Sequence, residues 1–110
     1  MNRISLTNGC KIEFTESVYT PYEEGKVSTF IGERTITGRI ISEDYSKKSG
    51  YHFFTIHVYS CIGTNAYLVE KGSKIVRRGT VVYPKLQVIS FPDNYQLLLE
   101  EKEKRKGKTY

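Results

Sequence analysis

The sequence predicts an all-β chain folded as one small barrel of about five strands with an extra N-terminal β-hairpin. Three observations predict it. In the strongest segment, Tyr51–Ile62, apolar and polar residues alternate with the two-residue period of a half-buried strand. Glycine and proline punctuate the chain, and no segment before the C-terminal stretch keeps a helical period for longer than a turn. The length of 110 residues, with 38% apolar and 13% aromatic residues, suits one domain with its own core. That domain is expected over residues 1–100, followed by a charged C-terminal tail at 101–110; Glu100–Lys108 reads as a frayed helix or a disordered segment.

Taken in order, residues 1–14 read as the hairpin. Ile4 and Leu6 lead into Asn8-Gly9, and Cys10, Ile12 and Phe14 lead out. Asn-Gly between alternating apolar residues is the strongest short hairpin signal, because both residues accept positive φ. Residues 15–28 hold Pro21, Gly25 and Glu23-Glu24 without a period, and predict a loop. Thr29–Ser42 is a strand in which Gly32 and Gly38 mark bulges or bends. Ser46–Gly50 is a cationic turn.

Along Tyr51–Ile62 the period points Phe54, Ile56 and Val58 into the core and Phe53, Thr55, His57 and Tyr59 outward. A short helical turn is expected around Asn65–Lys71. Ile75–Tyr83 reads as a strand interrupted by Gly79 and ended by Pro84. Leu86–Phe91 and Tyr95–Glu100 read as two more strands joined through Pro92-Asp93-Asn94.

The formal net charge is +5, distributed unevenly. Residues 13–33 carry −4, from five glutamates against Lys26, whereas residues 34–94 carry +5, nine basic against four acidic. A basic region after an acidic stretch favours a polyanionic partner, nucleic acid first. No apolar run approaches the roughly 18 residues of a membrane span, and the N-terminus has no signal-peptide core. Cys10 and Cys61 are far apart in sequence and form no disulfide framework or Cys-x-x-Cys pair. A cytoplasmic protein with no membrane partner, no cofactor and no metal is expected.

Enzyme signatures are absent. His52 and His57 fall on opposite faces of a straight strand, a poor arrangement for one metal ion. Glu43-Asp44 lies across a hairpin from His52, but no nucleophile elbow, Walker loop or Gly-x-Gly-x-x-Gly accompanies it. Catalysis is not expected.

From Ile36-Thr37-Gly38-Arg39 through the aromatic strand to Lys71-Gly72-Ser73-Lys74-Ile75-Val76-Arg77-Arg78-Gly79, the order of features resembles the OB-fold single-stranded DNA-binding proteins. There a Lys-Gly-Ser turn leads into a strand that carries a glycine. The resemblance spans roughly residues 34–100 and implies an OB-like barrel, single-strand protection in replication or recombination, and homo-oligomers. Three departures accompany it. The parity of Ile75 and Val81 places Arg77 inside the barrel, Arg105-Lys106-Gly107-Lys108 stands where cellular members carry an acidic tip, and the N-terminal hairpin is an addition. These differences suggest a divergent member, from a phage, a virus or a mobile element.

The residues themselves point the same way. Single-strand binders join cations for phosphates to aromatic rings on which bases stack. Arg39, Lys47, Lys48, Arg78 and Lys85 are assigned to phosphates. Phe53, Tyr59, Tyr51 and Tyr83 are assigned to bases, and His57 to stacking or a hydrogen bond. The expected ligand is single-stranded DNA, bound without sequence preference. The alternatives are RNA on the same barrel and a protein partner or inhibitor target docked on the same aromatic face.

Overall fold

The computed structural model describes residues 5–20, 24–46, 50–63 and 68–109. Five antiparallel strands form one sheet: β1 (Lys11–Tyr19), β2 (Phe30–Tyr45), β3 (His52–Gly63), β4 (Lys74–Arg78) and β5 (Gln87–Ser90). A helical turn, α1 (Gly79–Val82), runs on into a 3-10 turn at Tyr83–Lys85, and the chain closes with the helix α2 (Tyr95–Thr109). The all-β, barrel-like class of about five strands is the one expected. No helix among the described residues is long and apolar enough to cross a membrane.

The strand order is β4-β3-β2-β1-β5. Strands β1 to β4 therefore form a meander, and β5 returns beside β1. An OB barrel threads its five strands as a Greek key; here only β5 departs from sequential pairing. Leu6, Cys10, Ile12, Phe14, Ile36, Ile40, Phe54, Ile56, Val58 and Val82 form one buried core. They are inward residues of β1, β2 and β3, joined by Leu6 and Cys10 from the segment before β1 and by Val82 from α1, so the sheet curls around them.

Gly38 shows why the long strands can bend. The register slips between Thr37 and Gly38, and a Cβ at Gly38 would fall inside contact distance of the His57 carbonyl oxygen. Only glycine lets the two backbones approach so closely. A second slip leaves Ile41 as an extra residue between Ile40 and Ser42. Both irregularities increase the twist that a small barrel requires.

Several expected elements differ. The Asn8-Gly9 turn forms, with Gly9 at φ 93° and its N–H on the Ile40 carbonyl at 2.7 Å. Residues 5–7 are not a strand, however, and Ile4 lies outside the described residues. Instead β1 pairs along its whole length with the Phe30–Arg39 part of β2, so it runs into the stretch expected to be loop as far as Tyr19. Of the helical turn expected around Asn65–Lys71, Leu68–Glu70 is not helical, and residues 64–67 lie outside the description.

The strand expected at Ile75–Tyr83 stops at Arg78, where the chain turns into α1 and the Pro84-containing 3-10 turn. Proline has no N–H for a ladder and its ring suits a turn start. Tyr95–Glu100 is not a strand but the first part of α2. The Tyr95 N–H meets the Pro92 carbonyl at 3.0 Å and the Leu98 N–H meets the Asn94 carbonyl at 3.0 Å. The Gln-Leu-Leu-Leu-Glu-Glu-Lys-Glu-Lys run after Tyr95 consists of strong helix formers. The tail expected at 101–110 is thus helix through Thr109.

Candidate functional site

The outward face of the sheet collects the basic and aromatic residues of three separate sequence regions. Lys11 on β1 pairs in register with Arg39 on β2, Arg39 with His57 on β3, and His57 with Lys74 on β4. These four residues form one transverse row across four strands. At the usual strand separation of about 4.8 Å the row is about 14 Å long. Like charges side by side on a sheet are unfavourable for folding, so the row concentrates positive potential at some cost to stability.

Tyr59 anchors one side of this row. Arg39 Nε donates to the Tyr59 hydroxyl at 2.9 Å, and Arg39 Nη1 donates to the Gly9 carbonyl at 2.9 Å. The Asn8-Gly9 turn therefore orients the guanidinium. Lys11 Nζ stands 5.5 Å from the Tyr59 ring centroid, and the His57 ring packs edge-on against Tyr59 at 5.4 Å. Tyr59 is the extra residue of β3 at the bulge opposite Thr37 and Gly38.

A second cluster lies toward the start of β3. The Arg78 guanidinium sits 4.4 Å from the Tyr51 ring centroid and 6.0 Å from that of Phe53. The two rings meet edge-on at 6.4 Å. Phe53 pairs in register with Arg78 on one side and Asp44 on the other. Cations over ring faces are attracted by the ring quadrupole, so each cluster presents a positive edge beside a flat apolar surface. Between them, Thr55 with its neighbours Ser42 and Val76 carries neither charge nor ring.

The inward face carries two carboxylates. Glu16 on β1 receives Arg77 Nε at 2.8 Å, Arg77 Nη2 at 3.0 Å and Arg34 Nε at 2.9 Å. Burial pushes the Glu16 carboxyl up, but the hydrogen bonds and charges of Arg77 and Arg34 outweigh it and hold the group below its ordinary value. Arg77 does point inward, as strand parity implies, and an acidic partner meets it there. Glu43 on β2 faces His52 Nε2 at 3.3 Å and Lys102 Nζ at 3.1 Å. Burial again raises this carboxyl, and the contacts with His52 and Lys102 bring it below the ordinary value. Lys102 is 6% exposed and also donates to the Leu6 carbonyl at 2.8 Å. It fastens α2 to the barrel at the start of the charged stretch.

The residues assigned from sequence separate into three sets. Arg39, Tyr51, Phe53, His57, Tyr59 and Arg78 share the outward face. Tyr83 and Lys85 do not belong with them. Tyr83 packs against the core beside Phe54, ring centroids 6.0 Å apart, and Lys85 pairs with Glu33. Both leave the face because the chain turns at Gly79, where strand parity implies a straight continuation. Lys47 and Lys48 lie outside the described residues. Sequence reasoning misses Lys11 and Lys74. Their parity opposite Ile12 and Ile75 is readable, but their alignment with Arg39 and His57 depends on register. Among the described residues, no group of three or more His, Cys, Asp or Glu side chains gathers to hold a metal ion.

Residues 7–89 match the family described as a domain of unknown function, DUF7699, and the chain belongs to that family. No curated protein and no solved structure matches it.

Proposed function

We propose that this DUF7699 member binds single-stranded nucleic acid, DNA in preference to RNA and without sequence specificity, on the outward face of its sheet. The observation that carries the reading is the row Lys11–Arg39–His57–Lys74 flanked on the same face by ringed clusters at Tyr59 and at Tyr51–Phe53. Every nucleotide offers a phosphate and a π-face, so such a surface needs no base-edge code. The role inferred is protection of exposed single strands during replication or recombination, the role implied by the OB-fold resemblance.

A salt titration with labelled single- and double-stranded oligonucleotides tests it. Log K on single strands should fall linearly with log salt, by about 0.7 for each phosphate neutralised. Lys74→Ala and Lys11→Ala should each make that slope shallower by about 0.7. Absence of saturable binding at low salt overturns the reading and leaves protein docking on this face. Val76, 56% exposed on the edge strand between Lys74 and Arg78, favours that second reading.

A further inference from the structure

Resting on that reading, we infer that the face is divided into two base-stacking subsites, Tyr51–Phe53 under Arg78 and Tyr59 between Lys11 and His57, and that its ligand is a single strand long enough to bridge both. The division is visible in the side chains. Each cluster has its own ring and its own cation, at 4.4 Å for Arg78 over Tyr51 and 5.5 Å for Lys11 over Tyr59. The rung between them, Ser42–Thr55–Val76, provides neither.

The spacing sets the ligand's length. Phe53 and Tyr59 lie on one strand, and at about 3.3 Å per residue their separation is roughly 20 Å, slightly less across the bulge at Tyr59. At the stacked rise of about 3.4 Å per nucleotide this is about five or six steps, a strand of about six or seven nucleotides. That span falls within the roughly 4–16 nucleotides covered by single-strand binding barrels. A dinucleotide reaches one subsite only. A duplex, whose bases are stacked on each other inside the helix, offers neither ring a partner. Occupation of the second subsite by a bridging strand is intramolecular, so affinity should rise steeply once the strand is long enough.

The experiment is an affinity series with oligothymidylates of two, four, eight and twelve nucleotides, chosen to bracket the expected span. It uses the full chain, at one low salt concentration, with Tyr51→Ala and Tyr59→Ala beside the unsubstituted protein. Affinity should rise more than about tenfold between four and eight nucleotides. In either variant this step should vanish, whereas the dinucleotide, which has the other subsite, should lose no more than about twofold. Thermal unfolding checks each variant. Arg78→Ala and Lys11→Ala provide the same comparison if a tyrosine variant does not fold. An even rise with length, or a step that survives in both variants, overturns the two-subsite inference and leaves nucleic-acid binding intact. Failure to bind at every length overturns the nucleic-acid reading itself.

Discussion

Arg77 on β4 and Glu16 on β1 lie three strands apart in the sheet, yet they share a two-point ion pair at 2.8 and 3.0 Å. The curl of the sheet brings them together, and the side chains bridge strands that are not neighbours in the ladder. Arg34, directly opposite Glu16 on β2, completes the group. A bidentate guanidinium–carboxylate pair has a fixed geometry, so it selects one curvature of the sheet.

Glu16→Ala should destabilise the protein more than a surface substitution does. The change leaves Arg77 and Arg34 without their carboxylate while both remain mostly buried. Removing one partner of a buried pair costs roughly 3–5 kcal/mol, and the partial exposure here places the expected loss near the lower end, about 3 kcal/mol. Urea unfolding measures it. A loss below about 0.5 kcal/mol, the range of ordinary surface changes, contradicts the role assigned to the pair.

Acid should weaken the fold through the same carboxylates. Glu16 and Glu43 both titrate below the ordinary value of 4.5 when folded. A carboxyl with a lowered folded value contributes stability that is complete above its unfolded value. That contribution is lost as pH falls below about 4.5 and through the folded values. The urea midpoint should therefore be steady from neutral pH down to about pH 5 and decline below it. Glu16→Gln and Glu43→Gln should each make the decline shallower; an unchanged slope in both contradicts the assignment.

Two adjacent phenylalanines should behave oppositely. Phe54 is 0% exposed in the core, and Phe54→Ala should cost about 3–5 kcal/mol of stability. Phe53 faces outward beside Arg78, and Phe53→Ala should leave stability nearly unchanged while losing about 1–3 kcal/mol of single-strand affinity. Calorimetry and a binding titration on the same pair of variants decide it. Exchange of the two outcomes means that the faces are inverted.

The end of α2 should matter in one place. Truncation after Glu101 removes Lys102, which is hydrogen-bonded to the Leu6 carbonyl and paired with Glu43, and should cost about 1.5–3 kcal/mol. Truncation after Lys104 keeps those contacts and should leave the unfolding temperature where it was. Equal melting of both truncations and the full chain shows that Lys102 contributes no stability.

Strand β3 is legible because its two-residue period is uninterrupted from Phe53 to Val58, and parity alone assigns both of its faces. The shared face of Phe53, His57 and Tyr59 comes from that parity. The N-terminal hairpin misleads because its strong Asn-Gly turn is real but the chain before it packs as core without pairing: Leu6 is buried while residues 5–7 form no strand. Tyr95–Leu99 alternates too little to distinguish a short strand from a helix start, and the Glu-Glu-Lys-Glu-Lys run at residues 100–104 settles it as helix. Lys11 and Lys74 join the site through register, which no local pattern encodes.

The meander order also has a consequence for how the chain reaches this state. Each of the first three pairings joins strands that are neighbours in sequence, so the sheet grows by successive hairpins, each closing only a short loop. The contacts that remain, β5 beside β1 and Arg77 on Glu16, span long stretches of chain, 61 residues for the ion pair. Because closing long loops costs the most entropy, they are expected to form last. Substitutions at Glu16 or Arg77 should therefore speed unfolding much more than they slow folding.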